Sequence, residues 1–455
     1  MPGAFLPEKA ENGPVMQSME PAGTQTAQEK SFSIFETVII IIALMFALMG
    51  AQEYNRGDAS ASRLATVYSL VEDGTWYIDR PAGQPPVSFE QDTIDKVMVK
   101  GRMLSSKPPV LPLLMAGEYW VMKKALGWSL DKPEDANKIV RVMATTLVGF
   151  SYVLALALFG KTLRMFVDDP LIRLLLLFCL AFCTQLWGYS TQINNHVPAA
   201  AMLLAAAYLG LGVGWGTLTP RRWRFFMFGL AGALVLTLDM PATVFVAAVG
   251  VYLLAGHPRR TLTWAVAGAA IPLAVHLGIL YATTGSLLPV QTNPAAYLYE
   301  ASCWRNPQGV DALFQPKGTY LFHMTLGRCG IFSLYPILLV GIAAALRATY
   351  KKTVPGRAEI LLGAAAFAVM TAYYVFKTNN YGGEAYGFRW YIPAMPALLL
   401  MGAPVFMTLR VRWKWLFVGV MIGISFYSGF ESARSPWGAN RNWTNTFFLG
   451  PTYGP

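Results

Sequence analysis

Polar and ionisable residues interrupt an otherwise apolar chain at a small number of places. The candidates for a functional site among these residues are Asp58, Arg102, Lys107, Asn195, His196, Asp239, His323, Glu384 and Arg389, with Tyr54 close to the first of them. Carboxylates and imidazoles can transfer protons, and lysine and arginine can bind anions or stabilise developing negative charge. Ionisable groups at membrane depth are costly, so a group of them indicates a functional site, whereas a single one can be an ordinary interfacial residue.

Several common catalytic arrangements are not found in the sequence. There is no phosphate-binding glycine loop, no dinucleotide fingerprint and no readable Ser–His–Asp set. Cys179 and Cys183 are four residues apart on a predicted helix, but no second His or Cys pair completes a metal site, so they are interpreted as buried thiols. No ligand spacing specifies a divalent metal, and the metal requirement stays open.

The composition of the chain shows what kind of protein must position these residues. Of its 455 residues, 55% are apolar and 13% charged, and the mean hydropathy is +0.41. Soluble domains carry about a quarter charged residues, so the composition excludes disordered and collagen-like chains and argues against a soluble enzyme. Four cysteines are too few for a disulfide scaffold. The sequence therefore predicts an all-α polytopic membrane protein.

Eleven apolar stretches are predicted to be transmembrane helices. They are Val38–Met49, Val142–Gly160, Ile172–Tyr189, Val197–Gly216, Phe225–Leu238, Pro241–Gly256, Thr261–Ala282, Gly330–Leu346, Ile360–Phe376, Tyr391–Leu409 and Trp415–Phe430. A signal peptide is the alternative for the first stretch. The segment before it is long and acidic and no small-residue cleavage site follows, which favours a retained helix.

The segments outside these helices divide the chain. Residues 1–33 are polar without periodicity and are predicted to be a disordered tail, and residues 34–430 form the transmembrane domain. Residues 51–138 and 284–329 are the two large external loops, and residues 431–455 an external C-terminal tail. Pro109–Met122 is apolar but shorter than the roughly 20 residues of a span, so an interfacial or re-entrant helix is predicted there.

The positive charges give the orientation of the chain. Fifteen Lys and Arg residues lie in alternate short loops, beginning with Lys161 and Arg164 and ending with Lys414, and the loops between them at 190–196 and 239–240 have none. Basic loops stay in the cytoplasm, so the N-terminus is cytoplasmic and the first large loop external. This pattern also explains the net charge of +11 without a nucleic-acid partner. The candidate residues then share the external face of the cytoplasmic (inner) membrane.

Cys303 and Cys329 are the cysteines that the predicted topology places outside the membrane. They fall on the oxidising side, where disulfides persist. We expect them to pair and to close a loop of about 25 residues, worth about 3 kcal/mol in the chain-entropy treatment. Two free thiols are the alternative.

Several segments resemble one family of membrane enzymes. YNRGDASASRLATVYSLVEDGTWYID, followed by GRMLSSKPPVLPLL, resembles the first external loop of lipid-linked-sugar-dependent glycosyltransferases of the GT-C superfamily. The bacterial branch related to protein O-mannosyltransferases and aminoarabinose transferases is the most similar. NNHVPAAAMLLAAAYL, LDMPA, GRCGIFSLYP and YGGEAYGFRWYIPAMPALLL resemble its later landmarks. The resemblance covers roughly residues 35–410 and departs from the family's Asp–Glu pair, because Ala59 follows Asp58.

The resemblance implies an inverting hexosyl- or pentosyl-type glycosyltransferase with an external active site and a polyprenyl-phosphate sugar as donor. The acceptor would be a protein, a lipid or a glycan. Asp58 is the implied general base, and Arg102, Lys107 and Arg389 are the implied ligands of the donor phosphate. Tyr54, Asn195, His196, Asp239, His323 and Glu384 are implied to line the sugar or acceptor pocket.

Two other functions remain open at this point. A transporter or lipid flippase fits a polytopic chain, although no repeat of the first-loop motifs is found in the second half. A non-catalytic GT-C-like partner protein is the other alternative, and the missing Asp–Glu pair is its best support.

The charge pattern predicts that the C-terminus is outside, because eleven crossings separate it from a cytoplasmic N-terminus. A reporter that is active only in the cytoplasm, fused after Pro455, should be silent. The same reporter fused at residue 218, in a basic loop, is the positive control. Activity after Pro455 would disprove the eleven-span topology.

Overall fold

The computed structural model describes residues 33–54, 57–81, 83–300, 302, 315–409, 411–438 and 442–449, and the structural statements below refer to these residues. Almost all of their regular structure is helical, and one two-stranded hairpin is the sheet found in the described part. The prediction of an all-α polytopic membrane protein is confirmed. The predicted tail at 1–33 lies outside the described residues except for Ser33, and so does Cys303.

The helices follow one another along the chain with short connections. They are α1 Ile34–Met49, α2 Asp58–Tyr68, α3 Ser88–Gln91, α4 Val110–Leu126, α5 Pro133–Met143, α6 Phe150–Leu163, α7 Pro170–Phe182, α8 Gln185–Tyr189, α9 His196–Gly214, α10 Arg222–Leu238, α11 Thr243–Gly256, α12 Pro258–Arg260, α13 Val266–Thr284, α14 Lys317–Thr325, α15 Ile331–Leu334, α16 Leu339–Tyr350, α17 Arg357–Lys377, α18 Met395–Met407, α19 Arg412–Arg434 and α20 Trp443–Leu449. The strands of the hairpin are β1 Lys96–Val99 and β2 Arg102–Ser105.

Each of the eleven predicted transmembrane stretches contains helix, although Ile172–Tyr189 is divided between α7 and α8 and Gly330–Leu346 between α15 and α16. Six helical segments of the described chain are long and apolar enough to cross a membrane: Pro133–Leu163, His196–Gly214, Pro258–Thr284, Arg357–Lys377, Arg389–Met407 and Trp413–Arg434. Ile34–Met49, Pro170–Phe182, Met240–Gly256 and Pro336–Tyr350 are shorter apolar helices. The count of eleven crossings and their orientation stay predictions, because length and composition alone do not place a helix in a bilayer.

The first membrane helix is fixed at its N-terminus by a buried carboxylate. The Ser33 hydroxyl accepts from the Glu36 amide and the Glu36 carboxylate accepts from the Ser33 amide, which is a capping box. Glu36 also forms ion pairs with Arg164, at the end of α6, and with Arg173 of α7 at 3.8 Å. The start of α1 is therefore tied to two neighbouring helices.

Glycines permit the closest helix contacts in the bundle. On α10, a β-carbon at Gly229 would lie 1.8 Å from the carbonyl oxygen of Ala265, and on α13 one at Gly268 would lie 1.9 Å from that of Phe226. Backbones can approach so closely only where small residues face each other. This packing brings the N-terminal halves of α10 and α13 into close contact.

The first external loop is a compact unit with its own apolar core. Leu64 and Val67 of α2 pack with Met115 and Tyr119 of α4 and with Ile139 of α5. Helix α4 corresponds to the apolar segment Pro109–Met122 of the sequence, and it is not among the helices suited to cross a membrane. This helix packs against α2, and its interfacial or re-entrant position stays a prediction.

The β-hairpin brings Asp95 and Lys107, which are twelve positions apart in the chain, next to each other. Lys96 pairs with Ser105 and Val99 with Arg102. Lys100 and Gly101 form the turn with φ values of 51° and 77°, as tight antiparallel hairpins require. The open end of the hairpin therefore places Asp95 beside Lys107, whose Nζ is 2.5 Å from Asp95 Oδ2.

Helix α2 is held against the open end of this hairpin. Ser62 Oγ donates to the Asp95 carbonyl oxygen at 2.6 Å and is also 2.6 Å from Ser105 Oγ. The Ser106 amide donates to the same carbonyl at 3.0 Å. These bonds fix the Asp95–Lys107 ion pair relative to the N-terminal turn of α2.

The C-terminal region differs from the predicted external tail at 431–455. Helix α19 continues to Arg434, and α20 follows at Trp443–Leu449. Asn442 and Thr444 are fully buried, and the Thr444 hydroxyl donates to the Arg328 carbonyl oxygen at 2.6 Å. The sequence did not predict this packing because the segment has no apolar periodicity and its partners are far away in the chain.

We expect Asp95→Asn to lower the stability of the protein, because Lys107 loses its ion-pair partner while both side chains are mostly buried, 16% and 21% exposed. The free energy of unfolding should fall by about 1–3 kcal/mol, which is the size expected for a partly buried pair. The measurement is the apparent melting temperature in detergent, which should fall with it. Asp95→Asn with Lys107→Met should recover part of it.

Asp135→Asn is the matched control, since it removes the partner of Lys138, which is 52% exposed, and such pairs contribute about 0–1 kcal/mol. Equal melting temperatures for Asp95→Asn and Asp135→Asn would contradict the assignment.

Candidate functional site

Asp58 begins α2 with one carboxylate oxygen held and the other free. Oδ1 accepts from the Ile94 amide at 2.8 Å, and the Thr93 hydroxyl donates to the Asp58 carbonyl oxygen at 2.8 Å. Among the described residues, Oδ2 has no hydrogen-bond partner, and the side chain is exposed. Gly57 occupies the N-cap position and Asp58 makes no capping bond to α2. Asp58 therefore does not act as the N-cap of α2.

The pKa of Asp58 is raised above its usual value. Partial burial is the main cause and the nearby Asp95 adds to it, while the Ile94 amide and the charge of Lys107 oppose it. A carboxylate with a raised pKa and a free oxygen is suited to accept a proton near neutral pH.

Arg63 lies one turn beyond Asp58 and is almost completely buried. Its guanidinium donates to the Ala59 carbonyl oxygen at 2.7 Å and to Asn195 Oδ1 at 2.5 Å. Asn195 in turn donates to the Leu238 carbonyl oxygen at 2.8 Å. This chain of bonds connects the first external loop to the start of α9 and the end of α10, and it leaves Arg63 without a carboxylate partner in the described structure.

Arg389 approaches the same place from the second half of the chain. It begins a short 3₁₀ turn, Arg389–Ala394, that leads into α18. Gly382 and Gly383, with φ values of 89° and 74°, let the preceding segment fold around the arginine, because a β-carbon at Gly382 would lie 3.3 Å from its Cγ. The guanidinium lies over the ring of Trp437 at 5.0 Å, and its Nε is buried without a partner.

Positive charge is in excess in this cluster, defined here as Arg63, Asp95, Lys107 and Arg389. Burial lowers the pKa of Arg63 to about 10; the charge of Arg389 strengthens this effect and that of Asp95 opposes it. Burial also lowers the pKa of Lys107. Burial alone would raise the pKa of Asp95, but the charges of Lys107, Arg389 and Arg63 hold it below its usual value. Three cations thus share one ionised carboxylate, which is a site prepared for an anion.

A second buried pair lies at the outer ends of α9 and α10. His196 Nδ1 is 2.6 Å from Asp239 Oδ2, and both residues are buried. The neighbouring Asn194 has a structural role, because its side chain caps α9 through the Val197 amide at 3.0 Å. Of the six predicted pocket residues, the structure brings Asn195 into contact with the cluster and pairs His196 with Asp239.

The other predicted site residues have different surroundings. Arg102 is at the turn end of the hairpin and pairs with Asp79 at 2.9 Å, away from Asp95. Tyr54 donates to Asp92 at 2.6 Å. His323 packs against the rings of Phe322 and Tyr381, and Glu384 is exposed.

The structure does not test the predicted disulfide, because Cys303 is outside the described residues. Cys329 is buried, and its pairing with Cys303 stays a prediction. In the part of the chain that the structure describes, no three His, Cys, Asp or Glu side chains are arranged to hold a metal ion.

An apolar groove ends at Lys107. It is shallow, with a cavity volume of about 40 Å³, and lies between the first loop and the C-terminal end of α13. Its lining residues are Thr66, Trp76, Leu104, Ser105, Lys107, Pro109, Pro112, Ile279, Leu280, Thr283, Thr284, Val290 and Gln291. Lys107 is the one charged side chain among them. Apolar walls beside one cationic side chain can contact the part of an amphiphilic molecule that adjoins an anionic group.

Sequence reasoning missed Arg63 and Asp95 as site residues. Arg63 lies in the segment ASASRLATVY, where a single arginine in a helix is usually on the surface. Its position five residues after Asp58, in the segment that carries the family resemblance, was the available signal. For Asp95, the signal was its place just before a short alternating stretch that ends two residues before Lys107.

Comparison with solved structures gives the fold. The chain matches ArnT from Cupriavidus metallidurans bound to undecaprenyl phosphate with a TM-score of 0.53 and 11% identity, over 85% of this chain and 62% of that one. It matches the apo oligosaccharyltransferase of Archaeoglobus fulgidus with a TM-score of 0.49 and 14% identity, over 92% and 58%. The chain therefore spans less than two thirds of the length of these proteins.

No protein-family profile matches the chain, and no curated protein sequence does. The structural match to ArnT, at low identity, is evidence about the fold. Together with the order of the polar segments in the sequence, it leads to one conclusion: the chain shares the fold of ArnT over most of its length, which is the fold that the resemblance to the GT-C superfamily implies.

Proposed function

We propose that the protein is a glycosyltransferase that moves a sugar from a polyprenyl-phosphate donor to an acceptor at the outer face of the cytoplasmic membrane. The observation that carries this proposal is the cluster of Arg63, Lys107 and Arg389 around one ionised carboxylate, with the free oxygen of Asp58 beside it. A transporter needs no such base, and a non-catalytic partner has no need to keep one buried and two half-buried cations together. The GT-C fold supports the proposal.

The donor would lie with its lipid in the apolar groove and its phosphate at the cationic cluster. Lys107 belongs to both the groove and the cluster, so it marks the point where lipid and phosphate meet. Among the residues that the structure describes, the buried Nε atoms of Arg63 and Arg389 have no hydrogen-bond partner, and these groups can donate to phosphate oxygens. Arg102 is engaged with Asp79 and is therefore not included in the proposed phosphate site.

In the proposed reaction the acceptor hydroxyl attacks the anomeric carbon of the donor sugar from the face opposite the phosphate. Asp58 takes the hydroxyl proton, a new C–O bond forms, and the bond between the anomeric carbon and the phosphate oxygen breaks with its electron pair on the phosphate. The transition state has oxocarbenium character. One displacement of this kind inverts the anomeric configuration.

The cluster supplies stabilisation where negative charge develops. The phosphate leaves as an anion, so fixed positive charge replaces a general acid. Because Arg63, Lys107 and Arg389 are held in place before the donor binds, little reorganisation accompanies the reaction. His196, Asp239 and Asn195 lie next to Arg63 and are proposed to contact the sugar or the acceptor.

We expect Asp58→Asn to reduce sugar transfer by about 10²–10⁴-fold, the usual effect of losing a general base. Stability should change little, because the Asn side-chain oxygen can still accept from the Ile94 amide. Asp135→Asn, another carboxylate of the same loop, is the control. Lys107→Met should weaken donor binding as well as turnover.

The assay supplies membranes that contain the protein with radiolabelled polyprenyl-phosphate hexoses and pentoses. Label transferred to an acceptor supports the proposal, and movement of the label across the membrane without transfer indicates a flippase. If no donor gives either transfer or movement of the label, the protein is non-catalytic. Wild-type transfer by Asp58→Asn would show that Asp58 is not the base.

The pH dependence of sugar transfer should also reflect the ionisation of the Asp58 carboxyl group. The base must be ionised, and its pKa is raised by burial and by Asp95, so kcat/KM should fall on acidification at a pH above the usual aspartate value. Asp95→Asn removes the repelling charge and leaves Lys107 unpaired. Both effects favour the ionised form, so the acid limb should move to lower pH. A shift to higher pH, or none, would contradict the assignment.

A further inference from the structure

The chain returns to the site after its last long helix. Helix α19 ends at Arg434, and residues 435–438 form a tight turn in which the Gly438 amide donates to the Ser435 carbonyl oxygen at 3.2 Å. We refer to Ser435–Gly438 as the C-terminal turn. Neither the sequence motifs nor the fold comparison gives this segment a role.

The C-terminal turn is anchored by one carbonyl group. The Pro436 oxygen accepts from the Tyr189 hydroxyl at 2.8 Å and from the Tyr386 amide at 3.0 Å. Tyr189 ends α8, and Tyr386 belongs to the segment that leads to Arg389. Both tyrosines are fully buried. The turn therefore bridges two parts of the protein that flank the cationic cluster.

Trp437 is the residue of the turn that reaches the cluster. Its Nε1 donates to Gln192 Oε1 at 3.0 Å, and its ring meets the ring of Tyr189 edge to face at 5.3 Å. These contacts fix the orientation of the indole. The guanidinium carbon of Arg389 then lies 5.0 Å from the centre of the indole ring.

This arrangement holds Arg389 without neutralising it. In the described structure no carboxylate is within ion-pair distance of Arg389, whereas Lys107 has Asp95. A carboxylate beside Arg389 would compete with a bound anion, but an aromatic face attracts the cation through its quadrupole and leaves the N–H groups available. A guanidinium that rotated freely before binding would lose this freedom when the anion binds, and that loss of conformational entropy would weaken binding.

We propose that Trp437 is a positioning residue that presents Arg389 to the anionic group of the ligand. This inference rests on the proposed function of the cluster as the donor-phosphate site. Trp437 itself touches neither the phosphate nor the reacting atoms. Its contribution is transmitted through Arg389 and so disappears when Arg389 is replaced.

The test measures the Kd of a polyprenyl phosphate for the purified full chain in detergent, with the corresponding polyprenol as the uncharged control. Trp437→Leu should weaken binding of the phosphate about tenfold, which is the size of a partly desolvated cation–π contact. Trp437→Phe keeps a ring and should lose about threefold or less. Polyprenol binding should not change in either variant.

Trp443→Leu is the matched control for loss of a C-terminal tryptophan. Trp443 is in α20, and its indole donates to Ser428 Oγ at 2.9 Å, so this variant should bind the phosphate as the wild type does. Melting temperatures of all variants show whether each chain is folded.

The decisive comparison is the double variant. If Trp437 acts through Arg389, Trp437→Leu should cost nothing further in an Arg389→Gln background. Additive losses, or wild-type affinity in Trp437→Leu, would overturn the inference while leaving the phosphate site intact. If the wild type binds polyprenol as tightly as polyprenyl phosphate, the proposed function itself is wrong.

Discussion

Mutual repulsion among three cations is the constraint on which the site depends. Arg63, Lys107 and Arg389 lie close enough to influence one another, and Asp95 is the ionised carboxylate among them. In a medium of low dielectric such an arrangement is unfavourable unless each charge is held by neutral groups. Backbone carbonyls, an amide side chain and an indole ring perform this task. An anion bound next to these cations would reduce their mutual repulsion.

Each cation is held by a different part of the chain. The hairpin register fixes Lys107, a helix of the external loop carries Arg63, and the glycine-rich segment before α18 presents Arg389. The Arg63–Asn195–Leu238 connection attaches the external loop to the membrane helices. The apolar groove lies along this same boundary. The contacts between the first loop and the membrane helices therefore hold both the groove and the cationic cluster in place.

Local properties were predictable from the sequence, and pairings over long distances were not. Hydropathy is a property of each segment, so the helices could be located, and Asp58, Lys107 and Arg389 stood out as charges beside apolar stretches. Arg102 and Lys107 could not be told apart, because only the hairpin register shows that Arg102 is at the turn end and Lys107 next to Asp95. Arg63 binds Asn195 across 132 positions of the chain, a separation that no local pattern reveals. The packing of the C-terminal region is non-local in the same way.

The position of the C-terminal turn in the chain affects when the site can be completed. The first loop, with Asp58 and Lys107, is made early in synthesis. Arg389 follows near the end, and Pro436 and Trp437 come after the last long helix. A ribosome-bound chain that has reached α13 therefore carries Asp58, Arg63 and Lys107 but lacks Arg389 and its aromatic support. The cationic cluster is complete only after α19 and the C-terminal turn have been made.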